Sequence, residues 1–569
     1  MESGNLSRRG FVSLAGLGAL TVGGAAALSG CAPTKSSSKG GSQASSGASA
    51  QAGANWYGEP ASLDSFAFTD TLDVDIVICG AGHAGLTAAL AAADAGAKTL
   101  VIDKGTKYNT MREFWGCIGS KCQKDAGVEI DPHEVTNELM RYACYRANQR
   151  VINLWAKESG ECVDWMMTQL EPEGFSIVCE TDIGEGHHGI YPIWPVQCNV
   201  QVPGNVEPGP ESFSVVPETV ERLAKGKGAE FMYQTSLVQC IVEDGKVTGI
   251  VATKNGEPIR INASKGVLIS TGGYEGDMDL IKQLQPETYA LQCNAGGLPG
   301  NVGDGIKAGI WAGGIKDAST SFMFFDRGAV MPDAETGADN PQGEMFWMGS
   351  QPWLKVNLLG ERFCNEDAPY DFPMHSTAEM KGKTWVSLYD SAWQDNVRAF
   401  HTQGCSRIDH SPTQGHTQIF EFPTIESMNQ NLIEKGYIVQ ADTYEELAKG
   451  LNLPVDTLVA TIKRYNELAA SGHDDDFGKE ASHMIALDNP PYYGVRQGGM
   501  SYCTLDGLRI NDNCMVVDKD GTPIEGLWAA GNASGCFFSG NYPELIFGVA
   551  CGRSMTEGRH AVLNMLGIK

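Results

Sequence analysis

Residues 74–85, Val-Asp-Ile-Val-Ile-Cys-Gly-Ala-Gly-His-Ala-Gly, constrain the fold of this chain more than any other stretch. A short apolar run breaks into Gly80, Gly82 and Gly85 and passes into the alanine-rich residues 86–95. A second apolar run, residues 98–101, then leads to Asp103. The pattern is a strand, a tight glycine turn, a helix, and a strand ending on a carboxylate, which is the arrangement of a dinucleotide site. Missing side chains let the backbone approach a pyrophosphate, the helix N-terminus presents unpaired N–H groups at the positive end of its dipole, and Asp103 can accept hydrogen bonds from a ribose.

The N-terminus reads as an address rather than as part of the fold. Ser7-Arg8-Arg9-Gly10-Phe11-Val12 resembles a twin-arginine export signal, and residues 14–28 form a weakly apolar segment too short and too glycine-rich for a stable membrane span. Leu28-Ser29-Gly30-Cys31 resembles a lipobox, whose cysteine becomes the lipidated first residue of the mature chain. The expected location is the cell envelope, lipid-anchored at the outer face of the cytoplasmic membrane. Residues 32–70 are expected to be a flexible linker, its first part rich in Ser, Gly, Ala and Gln.

The remaining chain exceeds the size one core usually serves, so more than one domain is expected. A formal charge of −27 argues against nucleic-acid or anionic-membrane partners. The 16 cysteines contain no C-x-x-C and are irregularly spaced, which does not support a disulfide framework. Cys117 and Cys122 come nearest to a cluster pattern, but an iron–sulfur centre needs four nearby thiolates. His187-His188 lacks a third ligand at helical spacing, so no metal site is expected.

Glycine punctuation recurs further on. Residues 237–242 and 247–252 flank Glu243-Asp244-Gly245-Lys246 and predict a β-hairpin. Residues 265–274 form another apolar strand ending in Gly272-Gly273. Gly303-Asp304-Gly305 precedes an Ala/Gly-rich helix, and Trp528-Ala529-Ala530-Gly531-Asn532 lies near the C-terminus. Thr443 with Glu446 predicts a capping box, and Leu458, Ile462 and Tyr465 predict an apolar helical stripe.

Taken with Leu358-Leu359-Gly360-Glu361-Arg362-Phe363-Cys364-Asn365-Glu366, similar to a G-x-R-F-x-N-E pattern, these segments resemble the flavoprotein family of fumarate reductases and succinate dehydrogenases. The family includes soluble ene-reductase and 3-ketosteroid dehydrogenase relatives, and the resemblance runs from about Asp73 to the C-terminus. It implies an α/β fold: a Rossmann-like FAD-binding domain (71–320 and 498–569) interrupted by an α+β capping domain (321–497). It also implies FAD. Carried over, the cofactor residues are Gly80, Gly82, Gly85, Asp103, Lys104, Thr110 and Gly119, then Val238, Gly272 and Asp304, then Gly531, Asn532, Gly548 and Val549. Gly548 and Val549 stand at the start of a helix whose dipole could stabilise negative charge on reduced flavin. No histidine lies in residues 109–119, where membrane-bound relatives attach FAD covalently, so noncovalent FAD is expected.

Fumarate reductases resemble one another by N-R-L-G-G-N and H-T-M-G-G segments and by an arginine shortly after D-S. This chain has Gly540-Asn541-Tyr542-Pro543, Tyr502-Cys503-Thr504-Leu505-Asp506-Gly507 and Asp390-Ser391-Ala392-Trp393 in those places. Phenols and an indole cannot replace the cations that clamp a dicarboxylate. The expected reaction is reduction of the C=C bond of an α,β-unsaturated, non-dicarboxylate substrate whose apolar or aromatic body lies against Trp393, Tyr502 and Tyr542. Tyr542 and Tyr502 are the expected acid and hydrogen-bond donor, and Glu366 a member of a proton path; Arg327 and His401 are weaker candidates. With no C-x-x-C-H and no second G-x-G-x-x-G, electrons are expected from a separate cytochrome, flavoprotein or quinol-linked donor. Two alternatives stand beside this reading: a dehydrogenase of a steroid-like ketone, and a tethered solute-binding lipoprotein.

Overall fold

The computed structural model describes residues 55–109, 111–183, 187–188, 191–204, 212–295, 297–337, 343–402, 406–408 and 420–569. The leader, Cys31, most of the linker, Thr110 and the side chains of His187-His188 lie outside them. The apolar run before the first glycines forms β1 (Asp70–Cys79), whose last four residues are buried as a continuous Ile-Val-Ile-Cys row. A row buried on both faces is what a central parallel strand requires. The turn delivers the chain into α1 (His83–Asp94), with ten of its residues buried, and then into β2 (Thr99–Ile102). β3 (Phe114–Gly116) leaves this layer and pairs antiparallel with Gln197–Gln201 in a small separate sheet.

β4 (Glu230–Met232) extends the parallel layer beyond β2. The expected hairpin is present as β5 (Thr235–Glu243) and β6 (Lys246–Lys254), antiparallel, and β6 pairs in turn with β7 (Glu257–Ile269). α2 (Asp304–Trp311) starts at Gly303, which takes a left-handed conformation at φ 78° that suits glycine. β8 (Phe322–Val330) and β9 (Trp385–Asp390) belong to a second sheet. α3 (Val455–Ser471) buries Leu458, Ile462 and Tyr465, the stripe read from its 3.6-residue period. Upstream, the Thr443 hydroxyl accepts the Glu446 N–H at 3.2 Å and caps Tyr444–Gly450.

β10 (Tyr492–Thr504) pairs with β8 and β9 and, on other parts of its length, with Gln292–Ala295 and Ile438–Ala441; the junction expected at 497/498 falls inside it. β11 (Met515–Val517) and β12 (Pro523–Ala529) return to the first sheet, whose order becomes β11-β12-β7-β1-β2-β4. α4 (Val549–Met565) closes the chain against α1 and β3. The result is an α/β fold built on two large sheets. Its largest apolar cluster surrounds β1, α1, β7 and α4, and two smaller clusters lie under the second sheet. Among the described residues no helix is long and apolar enough to cross a membrane.

Candidate active site

The carboxyl ends of β1, β2 and β7 open on a cavity of about 590 Å³ that runs from the first glycine turn to an aromatic wall on β8 and β10. Backbone approaches explain the glycines around it. A Cβ on Gly80, at φ 108°, would stand 2.4 Å from Ser270 O, and one on Gly85 would stand 1.8 Å from Gly80 O. Gly82, by contrast, would meet nothing within 4 Å: its missing side chain leaves room in front of the α1 N-terminus, where an anion can be held. Asp103 clamps the turn by accepting the Ala81 N–H at 2.8 Å and the Gly105 N–H at 2.7 Å. Each carboxylate oxygen keeps a second acceptor position for a ribose hydroxyl.

The opposite end of the cofactor groove is built by α4. Gly548 precedes it at φ 70°, and its carbonyl accepts the Gly116 N–H at 2.9 Å. A Cβ on Gly552 would stand 1.8 Å from Gly116 O, so helix and strand touch through their main chains. The Gly531-Asn532 turn is held from below by a buried ion pair. Arg553 Nε donates to Glu557 Oε1 at 2.9 Å and Arg553 Nη2 to Gly531 O at 2.8 Å, while Glu557 Oε2 accepts the Gly531 N–H at 2.9 Å. Two helix N-termini, an open glycine and an acceptor for a ribose therefore face one groove, a donor set that fits FAD.

The other wall is aromatic. Phe325 packs 5.6 Å from Tyr502 and 5.2 Å from Tyr370, centroid to centroid, and Tyr542 packs 5.6 Å from Phe538. Arg112 Nη2 donates to the Tyr502 oxygen at 2.7 Å, which leaves the Tyr502 O–H to be directed into the cavity. Arg327 lies over Trp347, 4.1 Å from the ring centroid, and its Nε donates to Ser350 Oγ at 2.9 Å. Glu544 faces the same space. Its Oε2 accepts the Tyr370 N–H at 2.7 Å and its Oε1 the Ser406 hydroxyl at 3.2 Å. Burial first, and the neighbouring Asp326 second, push the Glu544 carboxyl up to about 8.

Of the residues expected from sequence, Gly80, Gly82, Asp103, Lys104, Gly272, Asp304, Gly531, Asn532, Gly548, Tyr502 and Tyr542 line this cavity, with Lys104 and Asp304 joined as an ion pair across it. Gly85 and Val549 stand just behind the wall. The structure does not bring the others there. Thr235, Ser236 and Leu237 line the cavity, but Val238 does not; it is the extra residue of a β-bulge between Leu237, which pairs with Ala252, and Gln239, which pairs with Val251. Gly119, at φ 80°, serves the turn into Lys121–Asp125. Glu366 is buried in an ion-pair network: Arg362 Nη2 donates to it and to Asp474, each at 2.7 Å, and it is not part of the cavity wall. Trp393 packs edge-on against Phe422 in the cluster below the second sheet, and the partly exposed His401 pairs with Asp182. Arg327 is raised to a wall residue, and Glu544, Trp347, Tyr370 and Arg112 were missed; Glu544, two positions after Tyr542, carried the one usable signal. Cys117 Sγ lies 3.7 Å from Cys198 Sγ. Among the described residues no group of three or more His, Cys, Asp or Glu side chains is arranged to hold a metal ion.

A family model described as "FAD binding domain" matches residues 75–544. The chain belongs to this family. It is an FAD-dependent oxidoreductase of the fumarate reductase type, acting on CH–CH bonds, and the solute-binding alternative falls with that membership. It is similar to the vinyl phenol reductase of Lactiplantibacillus plantarum, 27% identical, covering 86% of this chain and 96% of that protein. It is also similar to the 3-oxosteroid 1-dehydrogenase of Mycobacterium tuberculosis, 25% identical over 87% and 98%, and to the digoxin reductase of Eggerthella lenta, 26% identical over 87% and 88%. Its fold resembles a 3-ketosteroid dehydrogenase from Rhodococcus jostii with a TM-score of 0.65 at 20% identity, covering 89% of this chain and 99% of that one. It also resembles an open flavocytochrome c3 fumarate reductase with a TM-score of 0.60 at 21% identity, covering 88% and 79%.

Proposed function

We propose that this flavoenzyme reduces the C=C bond of an α,β-unsaturated substrate with an apolar or aromatic body and at most one negative charge. FAD would be bound noncovalently, and the electrons would come from a separate redox partner. The observation that carries this reading is the wall opposite the glycine turns, where Phe325, Tyr370, Tyr502 and Tyr542 offer ring faces. A dicarboxylate needs a cation at each end. Here the two wall guanidiniums are also engaged with the protein, Arg112 donating to Tyr502 and Arg327 donating to Ser350 and lying over the Trp347 ring. Vinyl phenol reductase and digoxin reductase, among the similar proteins, bear names that fit such substrates.

Bound FAD supplies the hydride. The residues of this chain do the rest. The α1 N-terminus and Gly82 would hold the pyrophosphate, Asp103 would accept from the ribose, and the α4 N-terminus would favour negative charge on the ring. Tyr502, oriented by Arg112, and Tyr542 donate hydrogen bonds to the group that activates the double bond, while the aromatic wall excludes water. Twin-arginine export and a lipidated Cys31 would keep the enzyme beside a membrane-bound electron donor.

The test is a panel of enoates, enones and aromatic acrylates with reduced viologen as donor, repeated with Tyr542→Phe. Turnover of aromatic acrylates but not fumarate, weakened in the variant, is the expected result. Preference for fumarate, or equal turnover driven by NADH alone, would overturn the reading. The dehydrogenation of a steroid-like ketone is the second reading, favoured by the similarity to 3-oxosteroid 1-dehydrogenase; turnover with a dye acceptor and a saturated ketone would select it.

A further inference from the structure

Beside the aromatic wall three carboxyl groups lie close to one another, with one guanidinium near two of them. Asp326 and Arg327 lie adjacent on β8, Asp371 opens the helix Asp371–Ser376, and Glu544 stands in the loop before α4. Asp326, Arg327 and Asp371 are at most 3% exposed. Asp371 Oδ2 accepts the Tyr542 N–H at 2.6 Å, while Asp371 Oδ1 is buried with no hydrogen-bond partner. The Asp326 carboxylate accepts the Ser350 hydroxyl at 2.5 Å, and Arg327 reaches Ser350 and Ser406, whose hydroxyl donates in turn to Glu544. Of the three carboxyls, Glu544 alone opens on the cavity; its exposed side is the cavity wall.

Three closely placed carboxyl groups beside one guanidinium repel one another when charged, which favours protonation within the cluster. Burial pushes the Asp371 carboxyl well up, and the Glu544 carboxyl rises to about 8. The groups that face Glu544 from the elements packed on it are Asp326 and Arg327 from β8, Asp371, and the Tyr142 phenol at the end of Pro132–Tyr142. A cavity-facing carboxylic acid that keeps its proton at neutral pH releases it more readily than an ordinary phenol, whose pKa is about 10.

We propose that Glu544 is the proton donor of the reduction, delivering its carboxyl proton to the α-carbon of the substrate double bond, and this rests on the ene-reductase reading above. The π bond of the substrate breaks. The electron pair and one hydrogen arrive at the β-carbon as hydride from reduced flavin, and the Glu544 O–H bond breaks as its proton forms the C–H bond at the α-carbon. Glu544 is left as a carboxylate, which takes a proton from water after the saturated product leaves. The two electrons that regenerate the cofactor come from the separate redox partner or from reduced viologen, and the accompanying proton comes from water. Tyr502 and Tyr542 are then left to polarise the activating group.

The experiment uses the flavin-loaded full chain, Glu544→Gln and Glu544→Asp, with an unchanged flavin spectrum as the check on folding. Glu544→Gln should lower kcat about 100-fold or more with KM little changed. Activity that requires the protonated acid falls as pH rises through about 8 in the native enzyme, and this alkaline limb should vanish in the Gln variant and persist in the Asp variant. Independently of turnover, infrared difference spectra without substrate should show a carboxylic acid C=O band that titrates near pH 8 and is lost in Glu544→Gln but kept in Tyr542→Phe. Full activity and an unchanged alkaline limb in Glu544→Gln, or a band indifferent to that substitution, would overturn the donor role alone. A native enzyme inactive on the whole panel would overturn the ene-reductase reading, and the donor role with it.

Discussion

Replacing Gly552 by alanine sets two effects of opposite sign against each other. In a helix interior, Gly→Ala normally stabilises by about 1 kcal/mol through propensity. In α4 the new methyl would stand 1.8 Å from Gly116 O, where contacts below 3.0 Å are essentially never tolerated, so helix and β3 must separate by at least 1.2 Å. The obstacle is backbone on both sides, and β3 is held in a ladder with Gln197–Gln201, so no side chain can swing away. Overpacking of this kind costs roughly 3 kcal/mol at the upper end of its usual range. The net loss is about 2 kcal/mol, and if it falls on the groove that Gly548 borders, the dissociation constant for FAD rises roughly 30-fold. Flavin fluorescence titration of the apoprotein measures this directly. Gly226→Ala is the control: it ends the helix Ser212–Gly226, its methyl would meet nothing within 4 Å, and it should stabilise by about 0.5 kcal/mol or leave stability unchanged. If Gly552→Ala binds FAD as tightly as the native protein, the main-chain contact between α4 and β3 does not shape the cofactor groove.

Asp103→Asn replaces one of two acceptor oxygens by an amide that faces a main-chain N–H of the first turn, at Ala81 or Gly105. It should cost about 1–3 kcal/mol of FAD binding, read by the same titration, and unaltered binding would remove Asp103 from the cofactor site. His83 Nε2 accepts the Arg112 N–H at 2.9 Å, and burial lowers its pKa to about 4 from the usual 6.5. The folded ring therefore stays neutral where the unfolded one binds a proton, and apoprotein stability should fall as pH drops from about 6.5 toward 4. Thermal melts of His83→Gln across that window should show a shallower slope, and an identical slope would refute the assignment.

Local periodicity and turn chemistry made much of the cofactor half legible. The apolar row of β1, the glycines that follow it and the carboxylate after β2 lie within 30 residues of one another, so each predicts the next. The hairpin and the α3 stripe are likewise local patterns that the packing respected. The substrate end was not legible in the same way. Glu544 gains its character from Asp326, Arg327 and Tyr370, brought to it from 174 or more positions away in the chain, and no spacing rule announces that meeting. Trp393 shows the converse. It shares with Val397 and Phe400 one buried face of a short helix, so a residue that stands in a motif position of relatives is spent on packing. Glu366 is likewise placed by its partners, 2.7 Å from Arg362 and 3.7 Å from Lys479 in the buried interior, away from the cavity wall.

The ladder between β8 and β10 has a mechanical consequence. Phe325 and Arg327 come from one of these strands and Met500 and Tyr502 from the other, all facing the cavity. Those strands also carry β9, Glu344–Met345 and Ile438–Ala441 on their flanks. Phe325, Arg327, Met500 and Tyr502 are thus tied to the second sheet as one hydrogen-bonded unit, whereas Tyr370 and Tyr542 reach the same wall from outside that ladder.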